Sequence, residues 1–207
     1  MARWPGPALL VAGAGFLFVE AVAAAAWDSP AYSYARNFIS ELEIGHPPYD
    51  LVMSVTFVLN GLLAGAAAIA LVRRETPGAL RSSLMALSAI YGLGMVTAGV
   101  FHGDTARTVH SIGAGMCIPA GNLLLFAAAW LLRRHGRSSA AVLAFGVGGL
   151  VGATGTVLML TLTAPGHAGA LERMAAYPNL LGQVALGFGL TVGRDRLPHN
   201  RDTQNHS

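Results

Sequence analysis

The stretch LVMSVTFVLNGLLAGAAAIALVRR, residues 51–74, runs for 22 residues without a charge before it meets two arginines. As a helix rising 1.5 Å per residue it would cover about 33 Å, enough to cross a hydrocarbon core of ~30 Å. Runs of similar character lie at about 7–27, 83–101, 111–132, 141–162 and 173–192, with short connections between them. Hydrophobic residues make up 54% of the 207 and charged ones only 11%; mean hydropathy is +0.54. The expected fold class is therefore all-α, an integral membrane bundle of six transmembrane helices forming one domain over residues 1–192. The polar tail at 193–207 is expected to be disordered.

The 13 basic residues are all arginine. Arg3, Arg73, Arg74, Arg81, Arg133, Arg134, Arg137, Arg194, Arg196 and Arg201 fall at one set of span ends, whereas Arg36, Arg107 and Arg173 fall at the other. Ten against three is a strong positive-inside bias, which places both termini in the cytoplasm of a multi-pass cell-membrane protein, expected in a bacterial inner membrane. The basic balance then reflects arginines facing anionic lipid, and nucleic acid is not an expected partner. Arg3, a short apolar run and AVAAAA before Trp27 also fit a signal peptide. Retention as a span is the expectation, because the run is nearly of spanning length and Glu20 is out of place in a signal peptide's apolar core. The single cysteine, Cys117, falls inside the fourth span, where it cannot form an intramolecular disulfide and reads as a small packing residue.

The connections differ between the two faces. RRETPGALRS and RRHGRSS are tight, arginine-rich turns, while the first outer connection, DSPAYSYARNFISELEIGHPPYD, is long and aromatic. Within it YARNFISELEI reads as a short amphipathic helix lying on the outer surface, ended by Gly45 and the Pro47–Pro48 pair, with Asp50 as N-cap of the second span. Gly61 with Gly65 and Gly148 with Gly152 form small-xxx-small pairs suited to packing within one bundle. Pro119 is expected to kink the fourth span. Asn60, Asn122, Thr154, Thr156 and Gln183 read as interhelical hydrogen-bond partners.

Chemistry-bearing groups collect at the arginine-poor face. Glu20, about two turns inside the first span, needs a partner, a proton or water. FHGDTARTVH (101–110) brings His102, Asp104 and His110 to one turn. Imidazole and carboxylate at that spacing suit an acid–base pair, a divalent metal such as zinc with His167 added, or simply a solvated polar turn that satisfies helix ends. No HxxxH or HExxH motif accompanies them. Ser40 beside an outer histidine is a candidate nucleophile, although no GxSxG surrounds it. Glu20, Asn37, Glu41, His167, Glu172, Arg173 and Tyr177 are the ligand-binding candidates on that face, which His46 shares, with Glu172 and Arg173 expected to pair at the rim.

Taken together, NFISELEIG, the FVLNGLL run at 57–63, the FHGD…H turn and LERMAAYPNLLGQ resemble the six-helix prokaryotic membrane family catalogued as domain of unknown function nine-nine-eight, over about residues 8–192. The resemblance implies a six-helix membrane protein with polar residues on the outer face and no established activity. A remoter similarity is to ceramidase-like membrane hydrolases, which implies zinc with Ser40, His102 and Asp104 as the corresponding positions. The last hairpin departs from that pattern, offering His167 and Glu172 where the hydrolases have paired histidines. The expected function is the binding or sensing of a lipid or other amphipathic ligand in an outward-facing polar pocket. The alternative is a metal-assisted hydrolase acting on a lipid or amide with His102, Asp104 and His110 as ligands and Ser40 beside them. Transport is the weakest reading, because no charged pathway continues to the inner face.

Overall fold

Each apolar run forms a helix in the computed structural model, which describes residues 4–28, 30–45, 48–75, 78–162 and 166–192. The helices are α1 (Pro5–Ala25), α2 (Tyr49–Glu75), α3 (Ala79–Val100), α4 (Arg107–Arg134), α5 (Ser139–Thr161) and α6 (Ala168–Val192). No strand occurs among the described residues. Five of them, α1 to α5, are long and apolar enough to cross a membrane. With 25 residues α6 has the length as well, but it carries Glu172, Arg173, Asn179 and Gln183. The chain is thus a multi-pass membrane protein. The tail expected to be disordered, and His46, lie outside the described residues.

Helix ends follow local chemistry. Proline opens α1, where its missing N–H costs nothing. Ser138 caps α5, its hydroxyl accepting from the Ala141 N–H at 3.3 Å. Asp50 lies within the first turn of α2 rather than before it, where its charge complements the helix dipole. Pro119 is accommodated inside a continuous α4.

Consecutive helices pack side by side and α1 closes on α6, so the six form a ring in chain order, with α4 also touching α6 across it. Large apolar side chains such as Phe18, Leu93 and Leu160 face outward, as lipid requires. Between helices glycine sets the distance. A Cβ on Gly61 would lie 2.6 Å from the Gly92 carbonyl oxygen, and one on Gly92 would lie 2.8 Å from that of Gly61. Such approaches replace the hydrophobic drive that lipid removes with dense van der Waals contact.

The ring's interior holds paired amides. Asn60 donates through Nδ2 to the Ala12 carbonyl and to Gln183 Oε1, both at 3.0 Å. Tyr91 donates its hydroxyl to Asn60 Oδ1 and accepts from Gln183 Nε2 at 2.7 Å. Asn122 joins three helices through Thr156 Oγ1 at 3.2 Å and the Ala175 carbonyl at 3.1 Å. Thr154, expected among these partners, is exposed instead.

Candidate functional site

The long connection between α1 and α2 was expected to lie on the membrane surface, but it folds inward. Its only helical piece among the described residues is a 3₁₀ turn, Ile39–Glu43, whose Ile39, Leu42 and Glu43 are buried against α1, α2 and α6. It plugs the arginine-poor end of the ring. The reason is that one cation within the bundle gathers the connection's backbone carbonyls, which a surface helix would have satisfied by itself.

That cation is Arg173. Its Nη1 donates to the carbonyls of Tyr34 (2.8 Å), Asn37 (2.9 Å) and Gly169 (3.2 Å). Nε and Nη2 both reach Glu20 Oε1, at 3.0 and 2.9 Å, and Nη2 also donates to the Tyr32 hydroxyl. Tyr177 donates to the same Glu20 oxygen at 2.9 Å, and the Tyr34 ring lies 4.6 Å from the guanidinium carbon. Glu20 is 1% exposed and Arg173 6%. A planar fork of five donors suits this role, since an ammonium could not serve so many fixed acceptors. The connection adds its own bonds: Tyr32 donates to the Phe38 carbonyl at 2.8 Å, and Asn37 Nδ2 donates to Glu41 Oε2 at 2.6 Å.

The expected rim pair of Glu172 with Arg173 is replaced by two separate attachments, because Arg173 is turned to Glu20. Glu172 Oε2 instead accepts the Ile39 N–H at 2.5 Å, which fastens the start of the plug to α6. Gly169, one turn before Arg173 on α6, lets the connection come this close. A Cβ at that position would collide with the Asn37 carbonyl oxygen. Gly169→Ala is expected to loosen the plug by about 1–3 kcal/mol, the usual cost of overpacking. Hydrogen exchange over residues 30–45 reads the effect, and Gly15→Ala, where nothing lies within 4 Å, is the neutral control.

A second group lies beneath the plug. Glu43 is 2% exposed, and neither of its carboxylate oxygens has a hydrogen-bond partner among the described residues. Burial pushes its carboxyl up to about 8, the negative charge of Glu172 adds to this, and the nearby Ser54 hydroxyl offsets part of it. Ser54 donates to the Asp50 carbonyl at 2.9 Å, and its Oγ lies 3.0 Å from His102 Nε2.

His102, Asp104 and His110 do not converge. His102 turns to Ser54, and Asp104 is exposed. His110 Nδ1 lies 3.1 Å from the Ala98 carbonyl oxygen and 3.0 Å from that of Phe101, so this nitrogen carries a proton and caps the end of α3. His167 is exposed, and among the described residues no three His, Cys, Asp or Glu side chains are grouped to hold a metal ion. The donor set does not fit the zinc centre that the hydrolase likeness implies. Ser40 is half-buried, and the hydroxyl bonded to His102 is that of Ser54. Sequence reasoning missed Glu43, Ser54 and Tyr32, and the one signal for Glu43 was an acid inside an otherwise apolar ISELEI.

Two cavities complete the geometry. Beneath the plug, a space of about 50 Å³ is lined by Ser40, His110, Cys117, Glu172 and mainly apolar neighbours. At the arginine-rich end a cavity of about 500 Å³ is lined by residues of all six helices, including Leu71, Leu84, Leu124, Leu131, Phe145 and Leu186. Tyr91, Asn179 and Gln183 contribute polar groups to it, as do His135 and Arg137 at the α4–α5 turn. The roomy site therefore lies at the end opposite the one expected. The polar groups at the arginine-poor end bind one another and leave space for little more than water.

Residues 10–189 match the model of a family described as "Protein of unknown function (DUF998)". No curated protein and no solved structure matches the chain.

Proposed function

The chain belongs to the DUF998 family of proteins of unknown function, and we propose that it is a six-span membrane protein that binds an amphipathic ligand from the cytoplasmic side. The supporting observation is the cavity of about 500 Å³ inside the ring. That volume falls within the 300–1,000 Å³ typical of small-molecule sites, and such sites combine apolar walls with a few placed polar groups. The walls suit an acyl chain or a similar apolar body. Arg137 at the α4–α5 turn suits an anionic or strongly polar head.

Arg73, Arg74, Arg81, Arg133, Arg134 and Arg137 lie at this end, and the ten-to-three arginine bias of the sequence favours the cytoplasm for it and for both termini. α6 is the sixth span in this reading, since it closes the ring between α5 and α1. α1 is retained, because cleavage before Trp27 would remove Glu20 and leave Arg173 buried without its carboxylate. Residues 1–192 then form a single domain, and the polar cluster around Arg173 closes its outer end to anything larger than water.

The test uses the purified full-length chain in nanodiscs and a fluorescent fatty acid as probe. Ala68 and Ala128 line the cavity and are half-buried. Ala68→Phe with Ala128→Phe is expected to weaken binding at least tenfold by filling the space, and Arg137→Glu to reduce the preference for the acid over its methyl ester. Unchanged affinity in the filled variant, with thermal stability preserved, overturns the reading.

A further inference from the structure

Tyr91 and Asn179 line both cavities, and no other described residue does. They therefore form the partition between a small space reached by Glu172 and His110 and a larger one that ends at the arginine-rich turn. On α6, Glu172, Ala176, Asn179, Gln183, Leu186 and Leu190 follow one another at spacings of three and four, a single stripe that passes from one cavity into the next. We propose that this stripe is a proton pathway across the bundle, closed in the present structure at Tyr91 and Asn179.

The chemistry points to a proton rather than a larger cation. A space of about 50 Å³ holds a few waters, and its wall includes Phe16, Ile39 and Phe57, which cannot replace an ion's hydration shell. A proton needs only groups that take it up and release it. Carboxyl, imidazole and phenol are such groups, and ionisable residues inside a membrane commonly serve as relays. A hydronium ion on the outer side gives its proton to Glu172, which passes it through cavity water to the Tyr91 hydroxyl. Tyr91 releases its own proton to water in the larger cavity, so one positive charge crosses per proton and an equal counter-ion movement must balance it.

The partition is shut because the Tyr91 proton is committed to Asn60 Oδ1, an amide oxygen that does not pass protons on. Asn179 sits against Gly121, whose Cβ, if present, would lie 2.8 Å from its side chain. Pro178 immediately precedes Asn179 and deprives α6 of one backbone hydrogen bond, which supplies a bending point beside the partition. A bend there would move Asn179 off Tyr91 and join the two spaces, so that the Tyr91 hydroxyl can turn from Asn60 to the shared water. Fatty-acid binding is not required for any of these steps.

The experiment reconstitutes the full-length chain in liposomes with an internal pH dye, a potassium gradient and valinomycin. Asn179→Ala is expected to pass protons at least tenfold faster than empty vesicles and faster than the parent protein. Adding Glu172→Gln, which keeps an acceptor for the Ile39 N–H, should reduce that flux at least tenfold, as should Tyr91→Phe. Size-exclusion profiles and melting curves confirm that each variant is folded, and Asn179→Ser stands in if the alanine variant is not. No flux above empty vesicles in the folded partition variants, flux indifferent to Glu172, or sodium leaking with the protons would each overturn the proposal.

Discussion

Arg173→Ala is expected to cost about 3–5 kcal/mol, the range for breaking a buried ion pair by removing one partner. Glu20 is 1% exposed, and its Oε1 takes all three of its hydrogen bonds from Arg173 and Tyr177. Without the guanidinium that carboxylate loses its counter-charge, and the carbonyls of Tyr34, Asn37 and Gly169 lose their donor. Thermal unfolding in detergent, followed by tryptophan fluorescence, reads the loss. Removing both charges with Glu20→Leu and Arg173→Leu should cost far less than the two single changes added together, because no uncompensated ion is left inside. A loss below about 1 kcal/mol for Arg173→Ala would show that the plug does not depend on this hub.

Docking of the plug is expected to weaken as pH rises. In the docked state burial holds the Glu43 carboxyl at about 8, whereas in an undocked, solvated connection it returns to about 4.5. Below pH 4.5 both states hold the proton and docking keeps its full stability. Between the two values the undocked state releases the proton and the docked state does not, so docking loses about 1.4 kcal/mol per pH unit. Above about 8 the loss levels off, at several kcal/mol in all. Glu172 faces the same group from α6, and His102 lies beyond Ser54, so Glu43→Gln is the variant that isolates the effect. Proteolysis of the connection at pH 5 and pH 9 should differ strongly for the parent chain and weakly for Glu43→Gln. Equal rates for the parent at both pH values would overturn the assignment.

Much of the fold was legible because lipid leaves so few solutions. A run such as 51–72 has to be helical once no water can satisfy its backbone, and all six runs are helices within a few residues of their expected ends. Gly61 and Gly65 announced a close helix contact, and Asn60, Asn122 and Gln183 announced hydrogen bonds across helices. The membership of the face that carries Glu20, Asn37, Glu41, Glu172, Arg173 and Tyr177 was legible too, and these residues do meet at one end.

Their pairing was not legible. Whether Arg173 serves Glu172 beside it or Glu20 on α1 depends on the closure of the ring, a contact between residues 153 positions apart. The YARNFISELEI segment carries the apolar spacing of a surface helix, yet the unsatisfied carbonyls that Arg173 collects draw it inward as a plug. His102, Asp104 and His110 stand close in sequence, and the turn sends them to different partners.

The sequence by itself determined that this chain is helical, crosses a membrane and segregates its charges to two faces, because composition and period act locally and the bilayer penalises every alternative. Only the tertiary structure decided which polar groups neutralise one another and where space is left over. Those outcomes depend on how six helices meet. At the arginine-poor end the charges consume each other and leave room for little more than water; at the arginine-rich end apolar side chains from all six helices leave the larger cavity between them.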